Sequence, residues 1–387
     1  MLNKNGTEMI EGIIIDNKRE SSKMFNLRAD AFSKMKKLRL LKLLCKLKMM
    51  DLEGFQNLIK TPDFTTASNL EVLTLKGCTK LVDVHPSIAV LKSLKVLNLK
   101  DCKSLRSFPT IIRMEYLETL ILSGCSSLVR FPEIDGKMKR LKTLDLSGCY
   151  RVENLSENLQ HEKFLEELDL TETAITEPPS FIFQFKNLKV LSFNGCKRGR
   201  TNSIAPMLPS FSGLSSLREL KLRDCNLCEG DIPPDISGLS FLKELDLSGN
   251  NFVSIPASLT RLSKLEVLIL SNCNMCTLGE ADIHGLSSLK WLYLNDNNFI
   301  TVPLALTQLS KLKLIALSNC MKLNSLPELP TSIEDVWLEG CSSLEVVASP
   351  SKVCNLVDSA AIRAFNCFKL VENMNALTLL RKHLKVD

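Results

Sequence analysis

The sequence predicts an α/β solenoid, and three observations carry that prediction. From Leu70 onward the template L-x-x-L-x-L-x-x-C/N recurs about every 24 residues, beginning with Leu70-Leu73-Leu75-Cys78, Leu94-Leu97-Leu99-Cys102 and Leu117-Leu120-Leu122-Cys125. Within each copy an apolar pair brackets one variable residue, as Leu144 and Leu146 bracket Asp145, which is the two-residue alternation of a short strand with one buried face. After the polar turn comes an apolar-proline step in many copies, such as Phe108-Pro109, Phe131-Pro132, Ile255-Pro256, Val302-Pro303 and Leu326-Pro327, where the chain needs no ladder donor. One copy cannot bury its leucines alone, so the copies must stack. The predicted architecture is a leucine-rich-repeat horseshoe with a parallel β-sheet on its concave face and short helices or turns on its convex face.

Residues 1–46 read as a lead-in outside the repeat. Gly12 to Asp16 has the composition of a short strand, and Phe32, Met35, Leu38 and Leu41 have helical spacing. The first fifty residues hold twelve Lys and Arg against five acids, so the whole formal excess of +6 lies there. Two readings stand: a surface for an acidic partner, or a solvated face. Nucleic acid is disfavoured, because the basic residues lack aromatic interleaving. Leu38-Leu41-Leu43 resembles the start of another repeat, yet it begins only nine residues before Leu47, too close for a full turn.

Residues 47–345 form the predicted solenoid of about 13 repeats, from the degraded copy Leu47-Met50-Leu52-Phe55 to Ile333-Val336-Leu338-Cys341. Segments such as Leu259, Leu262 and Leu265 are expected to add one or two helical turns per repeat on the convex side. Between the Leu188 and Leu217 copies the spacing stretches to 29, and the excess falls in the basic stretch Lys197 to Pro206. That stretch reads as a tolerated rim insertion, with a contact or localisation signal as the other reading. Residues 346–387 read as a C-terminal cap, with Ile362, Ala364 and Cys367 a last trace of the register and Met374, Leu377, Leu380 and Leu384 on one helical stripe.

Nine of the fourteen cysteines (Cys78, Cys102, Cys125, Cys149, Cys196, Cys225, Cys273, Cys320 and Cys341) occupy the last template position. A small side chain there turns inward and caps loop backbone groups, as Asn250 and Asn297 do in their copies. The start of the chain lacks the apolar run of a secretory signal, so the thiols are expected to be reduced. Cys225-x-x-Cys228 and Cys273-x-x-Cys276 have the spacing of zinc half-sites, but the first member of each is a template cysteine and the pairs lie two repeats apart. No metal or cofactor is therefore expected. The four histidines, His85, His161, His284 and His383, fall in unrelated repeat phases, so no nucleophile and base can be paired. No apolar run is long enough to indicate a membrane span.

Several phase-specific motifs are similar to those of plant intracellular nucleotide-binding leucine-rich-repeat disease resistance proteins of the class with an N-terminal TIR domain. Gly6 to Asp16 resembles the junction between that family's nucleotide-binding module and its repeats, and Ala31 to Leu41 resembles the first repeat entry. Asn57 to Phe64, Val84 to Ile88 and the Leu-x-Leu-x-Gly-Cys endings are similar too, and Asn366 to Leu370 resembles the opening of the jelly-roll module that follows the repeats. The resemblance implies recognition of a pathogen effector, or of a guarded host protein, coupled to release of an autoinhibited nucleotide-binding domain of the same parent chain. There is no G-x-x-x-x-G-K-[ST] phosphate loop and no TIR domain in this sequence, so nucleotide exchange and NAD hydrolysis are not expected of it. It reads as the sensor part alone, non-enzymatic, cytoplasmic or nuclear, without nucleic-acid or membrane partners. A free-standing leucine-rich-repeat adaptor is the alternative.

The positions that alternate with the buried leucines should face solvent on the concave side, from Val72 and Thr74 through Val190 and Ser192, and Leu314 and Ala316, to Asp335 and Trp337. Both tryptophans and one of the three tyrosines fall in this set. Exposed large aromatics are the commonest interface anchors, so Trp291, Tyr293 and Trp337 are the predicted contact patch, unless Lys290 and Lys313 cover them. Asp145, Glu167, Asp169, Glu219, Glu244 and Asp246, with Lys221 among them, form an acidic middle section. It suits a basic partner or the basic lead-in of a neighbouring domain, although Asp is also frequent in Leu-Asp-Leu of such repeats.

Overall fold

In most copies the triplet centred on the second template position is a three-residue strand whose middle apolar residue is buried and whose flanking residues are half-buried, as in Val72–Thr74, Val96–Asn98 and Thr143–Asp145. The computed structural model describes residues 12–14, 40–42, 48–136, 138–195, 208–278, 283–347 and 361–372. These fall into two units, Met1–Cys196 and Lys197–Asp387.

In the first unit Met49–Asp51, Val72–Thr74, Val96–Asn98, Thr119–Ile121, Thr143–Asp145, Glu167–Asp169 and Val190–Ser192 pair in parallel, each with the next. Register is set by burial, because a slip of one residue would turn every central leucine to solvent. Leu73, Leu97, Leu120, Leu144 and Leu168 therefore form one continuous row, and each is at most 1% exposed. In the second unit Glu219–Lys221, Glu244–Asp246, Val267–Ile269, Trp291–Tyr293, Leu314–Ala316, Asp335–Trp337 and Ala361–Arg363 repeat the arrangement. Both units are leucine-rich-repeat solenoids.

The side opposite the strands differs in detail from the expectation of helical turns with 3.6-residue periodicity. It carries 3-10 turns of three to five residues, such as Glu157–His161 and Ala257–Arg261. The spacing of the leucines is the reason: Leu259, Leu262 and Leu265 are three apart, and the backbone steps in threes with them. Leu259 N–H donates to Pro256 O at 2.9 Å, Leu262 to Leu259 O at 3.0 Å and Leu265 to Leu262 O at 3.0 Å. Other copies put two-residue strands there, Ile111–Ile112 against Glu133–Ile134 and Ser325–Leu326 against Val346–Val347.

Each described copy turns at the residue before the last template position, where φ is positive. Glycine fills it at Gly77, Gly124 and Gly148, and Asp or Asn at Asp101, Asn272 and Asn319, the residue types that tolerate left-handed backbone. Glu172, at φ 56°, is the exception.

The lead-in contains two strands, Gly12–Ile14 and Leu40–Lys42, which pair in parallel. Leu41 lies in that second strand and so leaves the helical stripe; Phe32, Met35 and Leu38 are outside the described residues. At the other end the register continues past residue 345, because Ala361–Arg363 pairs with Asp335–Trp337 and Cys367 Sγ donates to Leu338 O at 3.0 Å. Asn366, at φ 60°, closes that repeat turn. Cys196, the Lys197 to Pro206 insertion and the stripe from Met374 to Leu384 lie outside the described residues. Among the described residues no helix is long and apolar enough to cross a membrane.

Candidate functional site

Strand alternation puts Trp291 and Tyr293 on either side of buried Leu292, and pairing aligns Trp291 with Leu314 and Asp335, and Tyr293 with Ala316 and Trp337. Tyr293 and Trp337 meet edge to face with ring centroids 6.2 Å apart across the strand that carries Ala316. Ala316 is 0% and Leu314 8% exposed, which corrects the expectation that both face solvent. Their aromatic neighbours on the flanking strands are larger and close over them. Ser192, also expected to be open, is buried, in register with Asp169 of the preceding strand.

All three aromatics are half-buried. Lys290 Nζ lies 5.6 Å from the centre of the Trp291 ring, so this lysine does flank the patch, whereas Lys313 turns away to Glu334 at 2.7 Å. The Arg363 guanidinium sits 5.4 Å over Trp337. Each cation–π contact of this kind contributes about 0.5–1 kcal/mol. Trp337 Nε1 is buried with no hydrogen-bond partner among the described residues.

The aspartates of the acidic section have a local role. Asp145, Asp169 and Asp246 each accept, through Oδ1, the N–H two residues on, from Ser147, Thr171 and Ser248, all at 2.9 Å. Asp51 and Asn98 do the same in their copies, at 3.0 and 2.9 Å. The bond closes the turn that follows the strand, which explains the residue type without a partner. Glu167 accepts the Thr143 hydroxyl at 3.3 Å. Lys221 lies between Glu219 at 3.2 Å and Glu244 at 3.4 Å. Partial burial pulls its ammonium down, and the two carboxylates outweigh that to leave it raised. The structure thus groups Glu219, Lys221, Glu244 and Asp246 on adjacent strands of one unit, and Asp145, Glu167 and Asp169 in the other.

Two features escaped the sequence reading. Residues just after the first template leucine alternate in sign along the first unit, and their side chains pair: Glu71 with Lys48 at 3.2 Å and Lys95 at 2.6 Å, Glu118 with Lys142 at 3.2 Å, Glu166 with Lys189 at 2.6 Å. In the second unit Glu266 holds Lys243 at 2.9 Å and Lys290 at 2.7 Å. The signal was present as the pairs Leu70-Glu71, Leu94-Lys95, Leu117-Glu118 and Leu141-Lys142. The second is a furrow of about 540 Å³ at the turn ends of strands in the second unit, lined by Asp224, Asp246, Asp296 and Tyr293 among others.

A Ser, His and Asp do come together in the first unit, contrary to the expectation from repeat phase, but not as a relay. Ser87 Oγ is 2.8 Å and Asp63 Oδ1 3.6 Å from the same ring nitrogen, His85 Nδ1. A relay needs the nucleophile and the carboxylate on opposite nitrogens. Ser87 Oγ also accepts the Phe64 N–H at 2.7 Å, and Asp63 caps Thr65 N–H at 2.9 Å. These bonds hold loops of adjacent repeats together. The template cysteines are likewise structural: Sγ of Cys78, Cys102, Cys125 and Cys149 donates to the carbonyl of Leu52, Leu75, Leu99 and Leu122 in the preceding repeat at 3.1 to 3.2 Å.

The leucine-rich repeat region family matches residues 174–314. A stretch of 69 residues is 41% identical to the TMV resistance protein N of Nicotiana glutinosa, covering 18% of this chain and 6% of that protein's length. Among solved structures, a leucine-rich-repeat protein of Leptospira interrogans aligns over 78% of this chain and 74% of its own, at 23% identity and a TM-score of 0.47. An internalin of Listeria monocytogenes aligns over 80% and 88%, at 16% identity and a TM-score of 0.45.

Proposed function

We infer that this leucine-rich-repeat chain is the recognition region of an intracellular plant immune receptor. It binds a pathogen effector, or the host protein that an effector alters, and within a longer parent it keeps a nucleotide switch at rest. It acts by binding, in the cytoplasm or nucleus, and catalyses nothing itself. The observation that carries the reading is the half-buried trio Trp291, Tyr293 and Trp337 on one sheet face. Large aromatics on solvent-side strand positions are the side chains from which interfaces draw most of their energy. The immune setting is supported by the local likeness to a resistance protein and by the motif resemblance around Gly6 to Asp16 and Ala31 to Leu41.

The test is binding of purified secreted effectors of plant pathogens to the full chain, repeated with Trp291→Ala and Trp337→Ala. At least one effector is expected to bind, and either substitution should weaken it about tenfold or more. A panel without a binder, or binding indifferent to both changes, would overturn the reading. Co-precipitation with the nucleotide-binding region of a resistance protein supplied in trans separates a receptor sensor from a free-standing adaptor, which has no such affinity.

A further inference from the structure

On the second unit the furrow and the aromatic trio share a wall. Asp246, Ile269 and Tyr293 all line the furrow and are register partners on successive strands. Three carboxylates, Asp224, Asp246 and Asp296, face it against one guanidinium, Arg223, whose Nε already pairs with Asp224 at 3.1 Å. Asp246 commits Oδ1 to the N–H and hydroxyl of Ser248, at 2.9 and 2.6 Å, and Asp296 Oδ1 takes the Asn319 amide at 3.0 Å. No cation pairs with Asp246 or Asp296 among the described residues. Beyond Tyr293 the register runs over buried Ala316 to Trp337, whose ring meets Tyr293 edge to face and is flanked by the Arg363 guanidinium.

We propose that this composite surface docks an extended partner segment in which a lysine or arginine enters the furrow between Asp246 and Asp296 and a bulky apolar side chain rests on the Tyr293 and Trp337 rings. The inference rests on the recognition reading above and names the chemistry of the partner. Charge sets the sign: unneutralised carboxylates in a concave wall repel an acidic segment and draw in a basic one. Geometry sets the spacing. Asp246 and Tyr293 are two strands apart, about 10 Å, and an extended chain covers that distance in about three residues. The aliphatic stem of the incoming cation crosses Ile269 while its head reaches the carboxylates.

The experiment pans random-sequence peptides displayed on phage against the full chain, against Asp246→Asn/Asp296→Asn and against Tyr293→Ala. Asparagine keeps both Oδ1 acceptors, so the turn bonds survive, and circular dichroism checks each fold. Peptides enriched on the parent chain should carry Lys or Arg about three residues from Phe, Leu or Trp. A synthetic peptide of that kind should bind the double variant about tenfold more weakly, and the parent more tightly as salt is lowered. Enrichment lost on Tyr293→Ala but indifferent to the double variant sinks the charge pairing and leaves the recognition surface standing. Enrichment of acidic peptides also overturns the proposal, and no enrichment, or enrichment indifferent to every change, removes both.

Discussion

Cysteine and asparagine answer the same need at the last template position with unequal reach. Cys149 makes one bond, Sγ to Leu122 O at 3.2 Å. Asn297 makes five: it accepts the N–H of Cys273 at 3.0 Å and of Met275 at 2.9 Å, and donates to Leu270 O at 2.8 Å, Leu294 O at 2.9 Å and the less buried Asn295 O at 3.3 Å. Asn297→Ala therefore strands four buried partners and should cost about 3 kcal/mol or more, against about 1 kcal/mol for Cys149→Ala. Urea unfolding of the two variants side by side gives the ratio, and equal costs would refute this account. Burial pushes the Cys149 thiol up to about 12, so at neutral pH it is a protonated donor and a poor nucleophile. The spacing of the template made this position readable from the chain alone. That asparagine reaches back into the previous repeat was not readable, because the two N–H groups it satisfies belong to a loop one full repeat away.

Adjacent 3-10 turns pack closely enough to discriminate between glycines. A Cβ on Gly285, in the Ile283–Gly285 turn, would stand well inside contact distance of the Thr260 carbonyl in the Ala257–Arg261 turn, whereas one on Gly238 would meet nothing within 4 Å. Gly285→Ala is expected to lower stability by about 2 kcal/mol. Gly238→Ala should be neutral or gain a few tenths of a kcal/mol, about what removing unfolded-state freedom supplies. Calorimetry of the pair decides the point. The Glu266 ion pairs predict a pH response: hydrogen bonds from Lys290 and then Lys243 hold its carboxyl below the usual glutamate range. A depressed native pKa means that the unfolded chain takes up the proton first, so this contribution is complete above the unfolded value and is lost as pH falls through the native one. Glu266→Gln should therefore show a smaller loss of urea midpoint between pH 6 and pH 3 than the parent chain; an equal loss would exclude the pair as a source. Strands were legible here because alternation is a strong signal, while the 3-10 turns were misjudged as 3.6-periodic. Their leucines step by three, and the distinction shows only once the backbone bonds are counted. The aromatic trio was legible for the same reason as the strands, but the cover over Leu314 and Ala316 depends on side-chain size across neighbouring strands.

At the scale of the molecule, stability accrues copy by copy, since each repeat touches only its neighbours. The ion-pair rail of the first unit adds a rule to that sum. Reading Lys48, Glu71, Lys95, Glu118, Lys142, Glu166 and Lys189 in order, the sign changes at every step. Removing residues 94–116 would set Glu118 beside Glu71, whereas removing 94–140 would set Lys142 there. The shorter deletion should thus gain stability as salt is raised, and the longer one should keep the salt response of the parent chain; identical slopes would dismiss the rule. Copies of this repeat are then not interchangeable beads. A gene that gains or loses copies of the first unit by unequal crossing-over keeps their charge pattern only when the change comes in twos, so parity in the number of those copies is written into the edge of that unit's sheet.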